Sequence, residues 1–231
     1  MTERYTLAAD KNTLSVRFGL AEVDRYKPNY NIAPSQLVPV ITAGSSGLSF
    51  FYWGQIPERA KNKAISQKLL SITADAIQEK PIEQQNLLTQ RCLVLADGFY
   101  GWKRISKKGK VAHRVTFNDN EILGFGGIWE EFETEKGTKV HTFKIISTPS
   151  NALVQSMSGS MPLLLDREQE KLWLNKETEL ATLLAQIRPF PADNMHVYSV
   201  SPSVENPNNN SPSLIEPFAP ADQFGNYSLI D

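Results

Sequence analysis

RCLVLADGFYGWKR (Arg91–Arg104) begins as a strand and ends as something else. Arg91–Ala96 is an apolar run of strand length. An acid, a glycine, two aromatics, a second glycine, a tryptophan and two cations follow. The first half reads as a core strand. The second half reads as the rim of a site or as a strand running into a turn. Asp97 and Gly98 would shape the turn, and Phe99, Tyr100 and Trp102 would pack or line a cleft.

Working outward, the chain is punctuated by short apolar runs. Leu37–Thr42 and Leu48–Trp53 flank the turn Ala43–Gly47 and predict a hairpin. Val111–Phe117, Glu121–Trp129, Thr142–Ser147 and His196–Val200 read as further strands. Helices are expected around Asp10–Phe18, over Pro81–Leu88 with the proline in the first turn, and over Glu168–Leu174 and Glu177–Gln186. Tyr26–Ser35, with two prolines, reads as ordered loop, as does Gly54–Ile65. Residues 201–213 read as flexible loop. Many strands with few short helices predict an α+β fold, mainly an antiparallel curved sheet or barrel-like core, in a single domain over 1–231.

Composition excludes several classes. At 41% apolar and 21% charged residues this is an ordinary globular chain, and its net charge of −1 gives no global attraction to nucleic acid or anionic membrane. One cysteine, Cys92, rules out a disulfide framework and fits a reducing compartment. No apolar run approaches the ~18 residues of a membrane span. MTERYTLAADK lacks a basic region followed by an apolar one. The expected location is cytoplasmic.

Candidate chemistry is sparse. His113, His141 and His196 are scattered, without metal-ligand spacing, so no metal is expected. Gly124–Ile128 enters a strand, and its glycines fit close backbone packing better than a phosphate loop. No cofactor is implied. Cys92, inside an apolar strand, reads as an inert small hydrophobe. Lys103, Arg104, Lys107, Lys108 and Lys110 form a cationic run, read either as a solvated hairpin tip or as a phosphate-contacting patch. Arg59, Lys61, Lys63 and Lys68 form a second one near Phe51, Tyr52 and Trp53, and cations beside aromatics are what single-stranded nucleic acid binding uses. Removal of Met1 would leave Thr2 at the terminus, where a threonine can act as nucleophile with its own amine as base.

Several stretches, in order, resemble the SOS response-associated peptidase (SRAP) family: YNIAPS (Tyr30–Ser35), YWG (Tyr52–Gly54), RCLVLADGFYGWK (Arg91–Lys103), GGIWE (Gly126–Glu130) and MPLLL (Met161–Leu165). The similarity extends from Arg4 and Tyr5 through Tyr198–Ser201 to Pro212–Glu216. It implies the SRAP fold and a role at abasic sites in single-stranded DNA. In that family an N-terminal cysteine closes a thiazolidine ring on the abasic aldehyde. An asparagine holds the amine and the sugar, a glutamate and a histidine move protons, and an arginine grips phosphate.

Carried onto this chain, those positions have changed. The cysteine position is Thr2, whose hydroxyl would give at best a readily hydrolysed oxazolidine. The asparagine position is Thr73, the arginine position Asp75, and the glutamate position Gly101. In the His-Asp-Arg-Met-Pro motif the histidine is Ser158 and the arginine is Ser160. Retained are Arg4, Asn31 at a position lining the DNA groove, Ala33, Pro34, Trp53, Asp97, Gly98, Trp102, Met161 and Pro162. Ser147 keeps a hydroxyl near the sugar. The resemblance thus implies a SRAP-fold pseudoenzyme that keeps weak binding of abasic single-stranded DNA, or of another ligand, in the inherited cleft. One alternative is an active crosslinking and self-processing peptidase using Thr2. Another is a small-molecule or protein-binding module, which the net charge and Asp75 favour.

Overall fold

A computed structural model describes residues 3–54, 69–107, 109–117, 121–133 and 137–219. Thr2, Lys108 and the cationic stretch with Arg59, Lys61, Lys63 and Lys68 lie outside the described residues. The opening stretch turns out to be two strands in two different sheets. β6 (Arg91–Ala96) belongs to a barrel and β7 (Gly98–Arg104) to a second sheet, and Asp97 is the single residue between them.

The barrel closes through β10 (Lys139–Pro149), β4 (Ser49–Trp53), β3 (Leu37–Thr42), β6 and β9 (Leu123–Glu133), with β9 pairing back onto β10. β5 (Ser71–Thr73) and β11 (Ser160–Pro162) add to β10, and β12 (Leu164–Leu165) adds to β9. All six residues of β6 are buried, which is why it reads as a continuous apolar run rather than an alternating one. The second sheet has the order β13 (Met195–Ser199), β8 (Lys110–Phe117), β7, β1 (Tyr5–Leu7), β2 (Asn29–Ile32). The fold is α+β, with a sheet-dominated core and several short helices.

Among the described residues, short helices surround the sheets, including α1 (Lys11–Phe18), α2 (Ala74–Glu79), α3 (Pro81–Thr89), α4 (Arg167–Leu174) and α5 (Leu180–Gln186). Asp10 caps α1 through the Thr13 amide, and Asp166 with Gln169 forms a capping box on α4. Arg91 is fully buried and ties two helix ends to the barrel. Its guanidinium donates to Leu88 O (2.6 Å) at the end of α3, and to Trp173 O (2.5 Å) and Asn175 O at the end of α4. A cation there meets the negative ends of both helix dipoles. No helix among the described residues is long and apolar enough to cross a membrane.

Asp97 locks the passage between sheets. Its carboxylate accepts from Thr6 Oγ1 (2.6 Å), Arg114 Nη2 (2.9 Å) and the amides of Ala8 and Ala9. It is therefore a buried hub rather than a surface turn residue. Gly98 follows because a Cβ there would stand 2.7 Å from Val115 O. The glycines of β9 are likewise packing positions: a Cβ at Gly124 would overlap Leu93 at 2.0 Å.

Two loop expectations change. Tyr26–Ser35 contains β2, because β1 supplies the partner hydrogen bonds that its composition does not advertise. Residues 201–213 are organised as two 3-10 turns, Pro202–Glu205 and Pro212–Ile215, joined by an asparagine-rich link.

Candidate functional site

The positions singled out by the sequence fall into two adjoining groups and a set of flanking positions. The first group is a row across the second sheet. Gly101 on β7 stands directly opposite His113 on β8, which stands opposite Ser199 on β13. Directly opposed residues share a face, so the three lie side by side. The row continues the face of Phe99 and Val115, which belong to the core. Gly101 is buried beneath Met157: a Cβ there would meet Met157 Sδ at 3.0 Å and Met157 Cβ at 3.1 Å.

His113 is half-buried, and its Nδ1 lies 3.0 Å from Val111 O. A carbonyl can only accept, so the neutral ring carries its proton on Nδ1 and leaves Nε2 as an acceptor. Burial lowers its pKa, the bond to Val111 O opposes this, and the charge of Lys103 lowers it further. The imidazole is thus held in its neutral form.

The second group lies on the barrel wall. Ser147 of β10 is in register with Thr73 of β5 on one side and Pro162 of β11 on the other. Ser147 is buried, and its Oγ makes a long bond to Ile72 O (3.4 Å). Thr73 is exposed and caps α2, accepting from the Ala76 amide (3.2 Å). Asp75 is exposed in the first turn of that helix, where an anion complements the dipole. The turn after β10 joins this wall to the first group, since it carries Met157 onto Gly101 and then enters β11. Ser158 braces that turn: its Oγ donates to Ser160 O (2.8 Å) and accepts from Ser160 N (3.3 Å). Ser160 is half-buried, and Met161 and Pro162 are buried beside it. The neighbouring hydroxyls of Thr148 and Ser150 are buried with no hydrogen-bond partner.

The remaining positions flank these two groups. Asn31 is 1% exposed, and its amide nitrogen donates to the carbonyls of Val204, Asn206 and Asn209 at 3.0–3.1 Å. It anchors the asparagine-rich segment. Ala33 is buried and Pro34 half-buried. Trp53 lies in the core, edge-on to Tyr5 at 5.2 Å, with Nε1 donating to Leu70 O. Arg4 is half-buried on the Tyr100 side of the second sheet. Its backbone oxygen accepts from Tyr100 N, its Nε is buried without a partner, and burial lowers its pKa. Cys92 is fully buried, and burial pushes its thiol pKa up. Of the candidate positions, Gly101 and Ser158–Pro162 are linked through Met157 and its turn, and Ser147, Thr73 and Pro162 share the β10 register; Trp53 borders that wall through Phe143 and Leu70, Arg4 borders β7 through Tyr100, and Asn31 holds the 204–209 segment.

Comparison with known proteins decides the family. The SOS response associated peptidase (SRAP) family model matches residues 1–207. This chain belongs to the SRAP family. It is 36% identical over 222 residues to the abasic site processing protein YoqW of Bacillus subtilis, covering 94% of this chain and 99% of that one. It is 30% identical over 235 residues to the rat abasic site processing protein HMCES, covering 84% of this chain and 66% of that protein. A crystal structure of a protein from Bacteroides thetaiotaomicron shares the fold with a TM-score of 0.78 at 23% identity, covering 93% of this chain and 99% of the other.

Within this SRAP chain the two adjoining groups carry the hydroxyls of Thr73, Ser147, Ser158 and Ser160 and the imidazole of His113. The hydroxyls of Thr73 and Ser158 are committed to local backbone bonds, which leaves His113 Nε2 as the free base of the first group. No motif in the sequence gives His113 a role here. The ladder alone sets it there: Arg104 pairs with Lys110 across residues 105–109, which brings 113 opposite 101, whereas a turn at Lys107–Lys110 would bring 116 there.

Proposed function

We propose that this SRAP chain binds single-stranded DNA, abasic sites included, without forming a durable covalent link to it. One observation carries this proposal: the space at Gly101 is filled by Met157. The carboxylate the family motif places there is absent, and so is the volume it would occupy. A side chain at 101 would have to displace Met157. Thr2, at the cysteine position, offers a hydroxyl in place of a thiol. The names of the relatives support an abasic-site ligand, and the cleft side chains that remain are suited to holding rather than to proton transfer.

The test is incubation of the full chain with abasic single-stranded DNA, followed by native and denaturing electrophoresis side by side. A shifted band under native conditions that disappears in denaturant is the expected result. A denaturant-resistant band that Thr2→Ala abolishes would overturn the proposal in favour of an active enzyme.

A further inference from the structure

The hairpin that holds Gly101 and His113 continues into a cationic tip. Lys103, Arg104, Lys107 and Lys110 are all exposed, four of the five cations that residues 103–110 carry in a chain whose net charge is −1. Lys110 pairs with Glu205 at 3.3 Å and lies 5.3 Å above the Trp102 ring. Among the described residues no carboxylate pairs with Lys103, Arg104 or Lys107. Arg104 stands directly opposite Lys110 in the β7–β8 ladder. Like charges in that relation repel and weaken a hairpin. An isolated, solvated hairpin gains nothing from this placement, whereas an anion laid across the tip would turn the repulsion into attraction.

We infer that the β7–β8 hairpin is an arm that grips the phosphates of single-stranded nucleic acid where the strand leaves the Gly101 face. The inference rests on the DNA-binding function proposed above and names the surface that extends it. From Gly101 to Arg104 the strand covers about 10 Å at ~3.4 Å per residue, room for about three phosphates at the stacked per-strand spacing, and the turn with Lys107 lies beyond it. Lys103 lies on the Gly101 side of β7, and Trp102 and Arg104 lie on the other, so the arm presents cations on both faces of its tip.

The experiment is fluorescence anisotropy of the full chain with a short single-stranded oligonucleotide, intact or with one abasic site, across a salt series. The variant is Lys103→Gln/Arg104→Gln/Lys107→Gln/Lys110→Gln. A control, Lys80→Gln/Lys139→Gln/Lys171→Gln/Lys176→Gln, removes the same four charges elsewhere. Each single-strand phosphate contact contributes about 0.7 to the slope of log affinity against log salt, so the hairpin variant should lose about 3 from that slope. Between about 50 and about 200 mM salt the unaltered chain should then weaken about 50-fold more than the variant does. The control should follow the unaltered chain, and all three should melt within a few degrees of one another.

A hairpin variant with an unchanged slope overturns the inference, and so does an equal loss in both variants. Failure of the unaltered chain to bind either oligonucleotide overturns both the inference and the proposed function. Hairpin-dependent binding with no preference for the abasic strand keeps the arm and removes the abasic-site part of the proposed function.

Discussion

Gly101→Glu restores the family's residue type at the position where this fold has closed over it, and it should be strongly destabilising. Its Cβ would lie 3.0 Å from Met157 Sδ and 3.1 Å from Met157 Cβ. Ordinary carbon contacts are about 3.5–4.0 Å, so Met157 has to move. Overpacking of this kind costs about 1–3 kcal/mol. We expect a loss of about 2 kcal/mol, and at roughly 2–4 °C per kcal/mol for a chain of this size the melting temperature should fall by about 4–8 °C. Met157→Ala in the same chain reopens the space. The double variant should therefore be more stable than the two single effects predict, with a coupling of at least about 1 kcal/mol. Urea unfolding followed by tryptophan fluorescence on all four species measures this. A Gly101→Glu chain as stable as the unaltered one, or strictly additive effects, would refute the claim that Met157 occupies the carboxylate's place.

Asn31→Ala removes two N–H donors shared among three carbonyls of the 204–209 segment; at about 1 kcal/mol for each donor the loss is about 2 kcal/mol, and hydrogen exchange should show deprotection concentrated at 202–209. Glu170, buried and bonded to Arg17 (2.7 Å) and the Gly124 amide (2.8 Å), has its pKa pushed up to about 6, chiefly by burial. A raised carboxyl pKa means its stabilising contribution is full below the unfolded value near 4.5 and is lost as pH rises through about 6. The loss is on the order of 2 kcal/mol, and a stability–pH profile of Glu170→Gln should lack that slope. His113 should titrate below 6.5 by NMR, because burial and then Lys103 depress it; Lys103→Gln should move its midpoint upward, and an unmoved midpoint would refute the Lys103 contribution. The same depression means that His113 favours folding above about 6.5 and loses that contribution as pH falls through its folded-state pKa.

Strands with their own apolar signal are legible in the sequence. Leu37–Thr42 and Arg91–Ala96 match β3 and β6 residue for residue, because burial on both faces leaves an uninterrupted apolar run. β1 and β2 carry no such signal. Asn29–Ile32 sits between prolines and asparagines and becomes a strand because Tyr5–Leu7 pairs with it, a tertiary cause that local propensity does not record. GFYGWKR is the least legible stretch, since two glycines argue against a strand. Each glycine answers to a neighbour distant in sequence, Gly98 to Val115 and Gly101 to Met157. The site is legible as a set of positions and not as an arrangement. Motif spacing locates residues 73, 101, 147 and 158, but only the ladder shows that His113 faces Gly101, and only the packing shows that Trp53 belongs to the core.

The substitutions at the family positions have a common physical direction. Thr73 caps α2, a helix of six residues, and loss of such a cap costs about 1 kcal/mol. Asp75 places its charge where that helix dipole is positive. Ser158 satisfies both the amide and the carbonyl of Ser160 and so fixes the turn that delivers Met157. Met157 in turn fills the space above Gly101. At each of these places the residue present serves the adjoining backbone or core. A carboxylate at 101 displaces Met157, and displacing Met157 strains the turn braced by Ser158. Gly101, Met157 and Ser158 are therefore coupled and substitutions among them should be non-additive, whereas Thr73 and Asp75 act locally on α2.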